Sequence, residues 1–177
     1  MKINRTPIEG FFVIGPDLFK DDRGFFLETF HQSKYTDVGI DKTFVQDNYS
    51  HSKQGTLRGL HYQLLHPQGK LIFVLRGEIF DVAVDIRRGS STFGQWFGAN
   101  LSAKNKRQIY VPEGFAHGFC VLSESADVMY KCSDFYDAED ECGIFWSDET
   151  IAINWPVKTP ILSRKDSKFQ KFTEIPE

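Results

Sequence analysis

One stretch of the chain decides its fold class: LIFVLRGEIFDVAVDI, residues 71–86. The arm at 71–75 is a continuous apolar run. In the arm at 79–86, bulky apolar side chains alternate with smaller or acidic ones, a period of two that is typical of a β-strand. The Arg-Gly-Glu sequence at 76–78 between the arms predicts a hairpin turn. This stretch therefore predicts two paired strands.

Runs of the same kind recur on both sides of this stretch, separated by turn residues at intervals of roughly ten residues. They predict strands at 25–30, 44–49, 56–63, 96–101, 108–111, 117–122 and 127–133. Helical patterns are confined to 33–38 and 165–169. The series predicts one all-β domain spanning residues 1–177, a sandwich or barrel with short C-terminal helical segments.

Composition excludes several classes of function. The chain has 177 residues, enough for one domain with a buried core, and a net charge of −3, which argues against a large cationic surface for nucleic acid. Its three cysteines, Cys120, Cys132 and Cys142, are odd in number and form no Cys-x-x-Cys pair. Free thiols, with no signal-like start and no apolar run long enough to span a membrane, predict a cytoplasmic protein.

Two motifs place histidines on predicted strands, about fifty residues apart. The first is RGLHYQ at 58–63, with His61, and the second is PEGFAH at 112–117, with His117. Residues i and i+2 share a face of a strand, so His61 faces the same way as Gln63. A buried imidazole beside fixed cations such as Arg58 and Lys70 is suited to take a proton from a carbon acid, because the cations hold the resulting enolate.

The spacing Pro-x-Gly-x-x-His at 112–117 is that of the second motif of the cupin barrel. Cupins usually hold a metal with His-x-His and a nearby Glu. Here Gln63 takes the place of the second histidine, and Lys70 stands where an acid is expected. A cation directed into the site repels a metal ion. The sequence therefore predicts a cupin-like β-barrel (jelly roll) that works without a metal.

Together the two motifs closely resemble those of the dTDP-4-dehydrorhamnose 3,5-epimerase family. Further matches run along nearly the whole chain, at 22–28, 44–50, 69–71, 82–87, 130–132, 136, 153–155 and 162–166. The resemblance implies a metal-free, cofactor-free, usually homodimeric enzyme that acts on a dTDP-4-keto-6-deoxy sugar in rhamnose synthesis.

The resemblance also assigns roles to residues. It implies that His61 is the base, that Asp166 partners it, that Lys70 stabilises the enolate and that Tyr130 is the acid on the far face of the sugar. It implies a second set that contacts the nucleotide sugar, partly across a dimer interface: Arg23, Glu28, Gln46, Asn48, Arg58, His117, Tyr136, Glu141 and Lys165. For Asp166 a second interpretation stays open, since Ser163-x-x-Asp166 also fits a helix-capping pattern.

Four other functions compete with double epimerisation. An enzyme that inverts only C3 or only C5 would use the same base, and placement of the sugar ring decides between them. A sugar-nucleotide ketoisomerase on a similar barrel also uses a histidine base. A protein that only binds the nucleotide sugar needs neither the His–Asp pair nor the Lys and Tyr. A metal-dependent cupin oxygenase would retain iron, manganese or zinc.

Overall fold

Strands dominate the computed structural model, which describes residues 1–176. Its strands are β1 Lys2–Arg5, β2 Phe12–Gly15, β3 Leu18–Asp21, β4 Gly24–Leu27, β5 Gln46–Lys53, β6 Leu57–Gln63, β7 Lys70–Arg76, β8 Glu78–Asp85, β9 Trp96–Ser102, β10 Gln108–Val111, β11 Phe115–Val121, β12 Ser125–Cys132 and β13 Glu141–Gly143. A short helix, α1, spans Gln32–Thr36, and 3-10 turns occur at Asp166–Lys168 and Phe172–Glu174. The predicted all-β class is confirmed.

Two antiparallel sheets form the body of the fold. Their strand orders are β1-β2-β10-β7-β12-β5 and β13-β6-β11-β8-β9, and β3 pairs with β4 in a separate hairpin. The main core cluster takes side chains from both sheets, among them Ile72 and Val128 from the first and Ala83 and Phe119 from the second. The sheets therefore face each other and enclose a shared interior, as in a jelly-roll barrel.

The hairpin predicted at residues 76–78 is wrong. The chain does turn there, with Gly77 at φ +79, but β7 pairs with β10 and β12 while β8 pairs with β11 and β9. The turn therefore carries the chain from one sheet to the other. A Gly between two strand-like runs predicts a turn, but it does not predict which strands the two arms pair with.

The other predicted strands are confirmed, and none of their ends is shifted by more than four residues. The predicted span 108–111 coincides with β10, and 56–63 with β6 apart from one residue. The short helical segments are confirmed as α1 and the 3-10 turn at Asp166–Lys168. Strands β1, β2, β3 and β13 were not predicted. All four are only three or four residues long, too short for a periodic pattern to show.

A glycine contact sets the spacing of the strands that carry the two motif histidines. Strand β6 pairs with β11 so that His61 lies opposite His117. A Cβ built on Gly59, which has φ +132, would lie 2.5 Å from the Cα of Gly118 and 2.8 Å from the carbonyl oxygen of His117. Only glycine at position 59 lets the backbones of β6 and β11 lie this close, and this contact brings the two histidines together on neighbouring strands.

The C-terminal segment packs along the outside of the sheet that contains β6. Isolated bridges join Thr56 to Ile161 and Ile144 to Gln170. Phe172 and Ile175 are buried in a second core cluster that also contains Leu60 and Tyr62 of β6. This packing brings the 3-10 turn at Asp166–Lys168 against β6, next to His61.

Candidate active site

A cavity of about 340 Å³ opens between the two sheets. Strands β5, β6, β7, β11 and β12 supply most of its wall. The residues that line it are Gln46, Asn48, Ser50, Arg58, His61, Tyr62, Gln63, Gln68, Lys70, His117, Phe119, Tyr130, Tyr136 and Glu141. Three of the four residues predicted to be catalytic, His61, Lys70 and Tyr130, are among them, and the fourth, Asp166, bonds to His61 from behind the wall.

One ring nitrogen of His61 is hydrogen-bonded to a carboxylate, and a second carboxylate lies farther from the other nitrogen. Its Nε2 lies 2.9 Å from Oδ1 of Asp166, and its Nδ1 lies 3.9 Å from Oε1 of Glu141. The edge of the imidazole also meets the ring of Phe169, with the centroids 5.5 Å apart. Because ionised Asp166 accepts a hydrogen bond, Nε2 carries the proton and Nδ1 is left free to take one.

Asp166 is a buried carboxylate, with 6% of its side chain exposed. Burial raises the pKa of Asp166, but hydrogen bonds from His61, from Ser163 and from the backbone of Gly59 outweigh it and hold the pKa below the ordinary value. Both sequence interpretations apply in part. Ser163 Oγ accepts a hydrogen bond from the Asp166 backbone N–H at 3.0 Å, as in a cap, while the Asp166 carboxylate turns to His61.

Lys70 and Tyr130 reach the cavity from the sheet opposite His61. Lys70 begins β7, and Tyr130 lies on the neighbouring strand β12. Burial lowers the pKa of Lys70, since little water remains to solvate its ammonium group. Burial raises the pKa of Tyr130, so its phenol stays protonated beyond its ordinary range. The arrangement places an amine and a protonated phenol on the same wall of the cavity.

His117 is tied to an acid that the sequence argument missed. Its Nε2 lies 3.0 Å from both carboxylate oxygens of Asp81, which is fully buried on β8. The available signal was the alternation of Asp81, Ala83 and Asp85 along β8. Both faces of β8 are covered, so these side chains are buried instead of reaching solvent, and Asp81 fixes the orientation of His117.

Strand β5 contributes amides to the cavity wall. Gln46 Nε2 donates to Asn48 Oδ1 at 3.0 Å, and Asn48 Nδ2 lies 3.4 Å from the sulfur of Cys132. Arg58 lines the cavity from β6, and its Nε donates to Ser52 Oγ at 3.0 Å. Gln46, Asn48 and Arg58 are thus each held in place by hydrogen bonds to neighbouring side chains.

At the cavity mouth, Tyr136, Glu141 and Lys165 form one network. The Tyr136 hydroxyl donates to Glu141 Oε2 at 2.6 Å, and the Lys165 ammonium pairs with the same carboxylate. The Glu141 bond is the largest cause that raises the pKa of Tyr136 to about 12, followed by burial. The structure therefore brings these predicted binding residues together, with Lys165 just behind Glu141.

Arg23 and Glu28 are the two predicted residues that lie away from this cavity. Arg23 sits at the tip of the β3–β4 hairpin and pairs with Asp21 at 2.6 Å, and Glu28 pairs with Lys34 at 2.8 Å. The carboxylates of Asp21 and Glu28 have a lowered pKa, chiefly because of the hydrogen bonds from Arg23 and Lys34. Neither side chain lines the cavity.

Among residues 1–176, no set of three His, Cys, Asp or Glu side chains is placed to hold a metal ion. In the same part of the chain, no helix is long and apolar enough to cross a membrane. Cys120, Cys132 and Cys142 are all free thiols.

Comparison with known proteins connects this site to a family. The family model described as dTDP-4-dehydrorhamnose 3,5-epimerase matches residues 5–174. The chain belongs to this family. The dTDP-4-dehydrorhamnose 3,5-epimerase of Shigella flexneri is 54% identical to it over 176 residues, which cover 98% of this chain and 97% of that protein. The dTDP-4-dehydrorhamnose 3-epimerase of Streptomyces niveus is 39% identical over 168 residues, 94% of this chain and 81% of that one.

Solved structures extend the likeness to three dimensions. The dTDP-6-deoxy-D-glucose-3,5-epimerase of Legionella pneumophila Philadelphia 1, crystallised in complex with dTDP-4-keto-L-rhamnose, matches with a TM-score of 0.96 and 51% identity. The match covers 99% of this chain and 94% of that chain. These matches confirm the family, the enzyme class and the cupin-like fold that the sequence motifs predict.

Proposed function

We propose that this protein inverts C3 and C5 of dTDP-4-dehydro-6-deoxy-D-glucose and releases dTDP-4-dehydro-L-rhamnose, for dTDP-L-rhamnose biosynthesis. One observation carries the mechanism: the base, His61, and the acid, Tyr130, enter the same cavity from opposite sheets. A sugar ring held between the sheets presents one face to each group. Removal of a proton from one face and delivery of another proton to the opposite face inverts the carbon.

His61 performs the first step. Its free Nδ1 takes the proton from C3 or C5, both of which are acidified by the C4 ketone between them. The imidazolium that forms lies 2.9 Å from Asp166, whose carboxylate stabilises the new charge. Glu141, with Oε1 at 3.9 Å from Nδ1, adds a second negative charge on the side of the incoming proton.

Lys70 stabilises the enolate that this step creates. The C4 oxygen gains the negative charge as the carbon loses its proton, and an ammonium group already desolvated by the cavity interacts with it strongly. Arg58 supplies a further cation to the same cavity. The ketone of the substrate is the electron sink, so the step as written uses no cofactor.

Tyr130 completes the inversion. Its phenol donates a proton to the enolate carbon on the face away from His61, and the C4 ketone re-forms. Water then returns a proton to the phenolate and takes the extra proton from the His61 imidazolium. Burial keeps Tyr130 protonated until this step, and the charge of Arg58 eases formation of the phenolate. The same pair of groups serves C5 and C3 in turn.

The nucleotide occupies the cavity mouth in this proposal. The half-exposed ring of Tyr136 offers a face for the thymine, while Gln46, Asn48, Glu141 and His117 supply hydrogen-bonding groups along the wall. Lys165 lies beside Glu141 and is available to the diphosphate.

We further propose a homodimer in which Arg23 and Glu28 serve the partner's site. They lie on and just after the β3–β4 hairpin, which exposes 62% of Phe19, 55% of Phe25 and 68% of Phe26. Exposed aromatic clusters of this kind mark protein interfaces. Mixing Arg23→Ala subunits with His61→Ala subunits should restore activity, because a mixed dimer contains one site with both residues. A monomer by light scattering, or no restoration, would contradict this arrangement.

The deciding experiment is proton NMR of dTDP-4-dehydro-6-deoxy-D-glucose with the purified protein in deuterated water. Loss of the C3 and C5 proton signals, with a product that a downstream reductase accepts, is the expected result. Exchange at one carbon alone would make this a single epimerase, like the 3-epimerase of Streptomyces niveus. Binding without exchange would leave only a nucleotide-sugar-binding protein.

We place the reaction in the cytoplasm, since three free thiols suit a reducing compartment.

A further inference from the structure

Gln63, the last residue of the RGLHYQ motif, lines the cavity and has no role in the chemistry above. It ends β6, two residues after His61, and only 7% of it is exposed. Its amide makes three hydrogen bonds: Nε2 donates to the carbonyl of His66 at 2.6 Å and of Phe135 at 3.2 Å, and Oε1 accepts from the backbone N–H of Asp137 at 2.9 Å. An amide committed in this way has little left to offer a ligand.

The partners of Gln63 surround Tyr136. The segment 135–137, here called the rim segment, is bonded to Gln63 at its first and last residues. Its middle residue donates its backbone N–H to Gln46 Oε1 at 2.9 Å. Gln63 belongs to one sheet and Gln46 to the other, so the rim segment bridges the mouth of the cavity between two glutamines.

The bond to His66 ties a second loop to the same amide. The Asp140 carboxylate accepts the backbone N–H groups of Leu64, Leu65 and His66, at 2.8 to 3.1 Å. Gln63 therefore joins the loop after β6 to the rim segment, and Asp140, three residues beyond that segment, holds the same loop a second time. Only the Gln63 connection acts directly on the residues beside Tyr136.

We propose that Gln63 is a positioning residue that fixes the rim segment, and with it Tyr136, and so sets the affinity of the enzyme for the nucleotide part of its substrate. This inference rests on the proposed function, in which Tyr136 meets the thymine. A pre-formed contact surface binds more tightly than one that must be ordered during binding. The chemistry at His61 does not pass through these hydrogen bonds.

The test is the variant Gln63→Leu, which keeps the volume of the side chain and removes all three hydrogen bonds. We expect the Kd for dTDP, measured by calorimetry, and the KM for the nucleotide sugar to rise about tenfold, because buried backbone groups lose their partners and the rim segment loosens. We expect kcat to stay within about threefold, since exchange at saturating substrate uses His61, Lys70 and Tyr130. The matched control is Gln54→Leu, whose amide donates to the Leu122 carbonyl at 2.8 Å on an exposed surface.

A double-mutant cycle keeps the inference testable even if Gln63→Leu is poorly folded. Gln63→Glu retains the acceptor for the Asp137 N–H and loses both donors, and it should also raise the Kd. In a Tyr136→Ala background either change should add less than about twofold, because its effect is carried by Tyr136. A folded Gln63→Leu with an unchanged Kd, or a fall in kcat at constant Kd, would overturn the inference. Wild-type exchange at C3 and C5 is measured separately, so the proposed function stands or falls without these variants.

Discussion

Asp166→Asn is the most direct test of the catalytic pair. The change keeps the shape of the side chain and removes its charge, so the imidazolium at His61 forms without a counter-ion. Asp166 Oδ1 lies 2.9 Å from His61 Nε2. With charge centres about 4 Å apart and an effective dielectric of about 20, the lost attraction is about 4 kcal/mol.

Solvent reduces this figure, because 28% of the His61 side chain is exposed. We therefore expect the barrier to rise by about 3 kcal/mol, which lowers kcat by about 100- to 200-fold. The assay is the initial rate of deuterium uptake at C3 and C5 at saturating substrate. Glu149→Gln, the same change on an exposed surface carboxylate, is the control and should leave the rate unchanged.

The folded-state pKa of Asp166 is depressed, so its ionisation stabilises the fold above the ordinary value of 3.8, and the effect is lost as pH falls through the lowered pKa. The difference in unfolding free energy between wild type and Asp166→Asn should therefore be larger at pH 7 than at pH 3. A variant with kcat within fivefold of wild type would refute the role given to Asp166, whatever its stability.

Three further changes probe the rest of the site. Tyr130→Phe should keep deuterium exchange while inverted product, trapped by a reductase, falls by about 100-fold or more; normal product would exclude Tyr130 as the acid. Lys70→Met should lower kcat by about 100- to 1000-fold. Burial lowers the pKa of Lys70 and raises the pKa of Tyr130, so Lys70 loses its proton first as the pH rises. Wild-type kcat should therefore fall at high pH, and Lys70→Met should not show this fall. His117→Leu should destabilise the fold by about 3 to 5 kcal/mol, since it leaves Asp81 buried without its partner, and His117→Leu with Asp81→Leu should recover much of the loss in a thermal melt.

The sequence was informative where a pattern repeats over enough residues to have a period. The strands from β5 to β12, apart from the four-residue β10, are of this kind, and the all-β class follows from them. The pairing of the strands was harder to predict from the sequence. Residues 71–86 show two strands and a turn, yet the arms belong to different sheets, because pairing depends on packing between segments far apart in the chain.

In the candidate site, too, some residues could be predicted from the sequence and others could not. His61, Lys70, Tyr130 and Asp166 were identified through motif resemblance, and the fold places them together. Asp81 was missed because an acid that alternates with apolar residues is the ordinary pattern of a solvent-facing strand, and burial on both faces of β8 cannot be read from β8 alone.

The His61–Asp166 bond joins residues 105 positions apart in the chain. Ile161, Gln170 and Phe172 hold the intervening tail against the barrel, outside the ladder of sheet hydrogen bonds. A growing polypeptide therefore has its base long before it has the carboxylate that orients it. The catalytic pair forms only when the tail docks, and a cut between Ile161 and Asp166 would remove this carboxylate together with the core side chains Phe172 and Ile175.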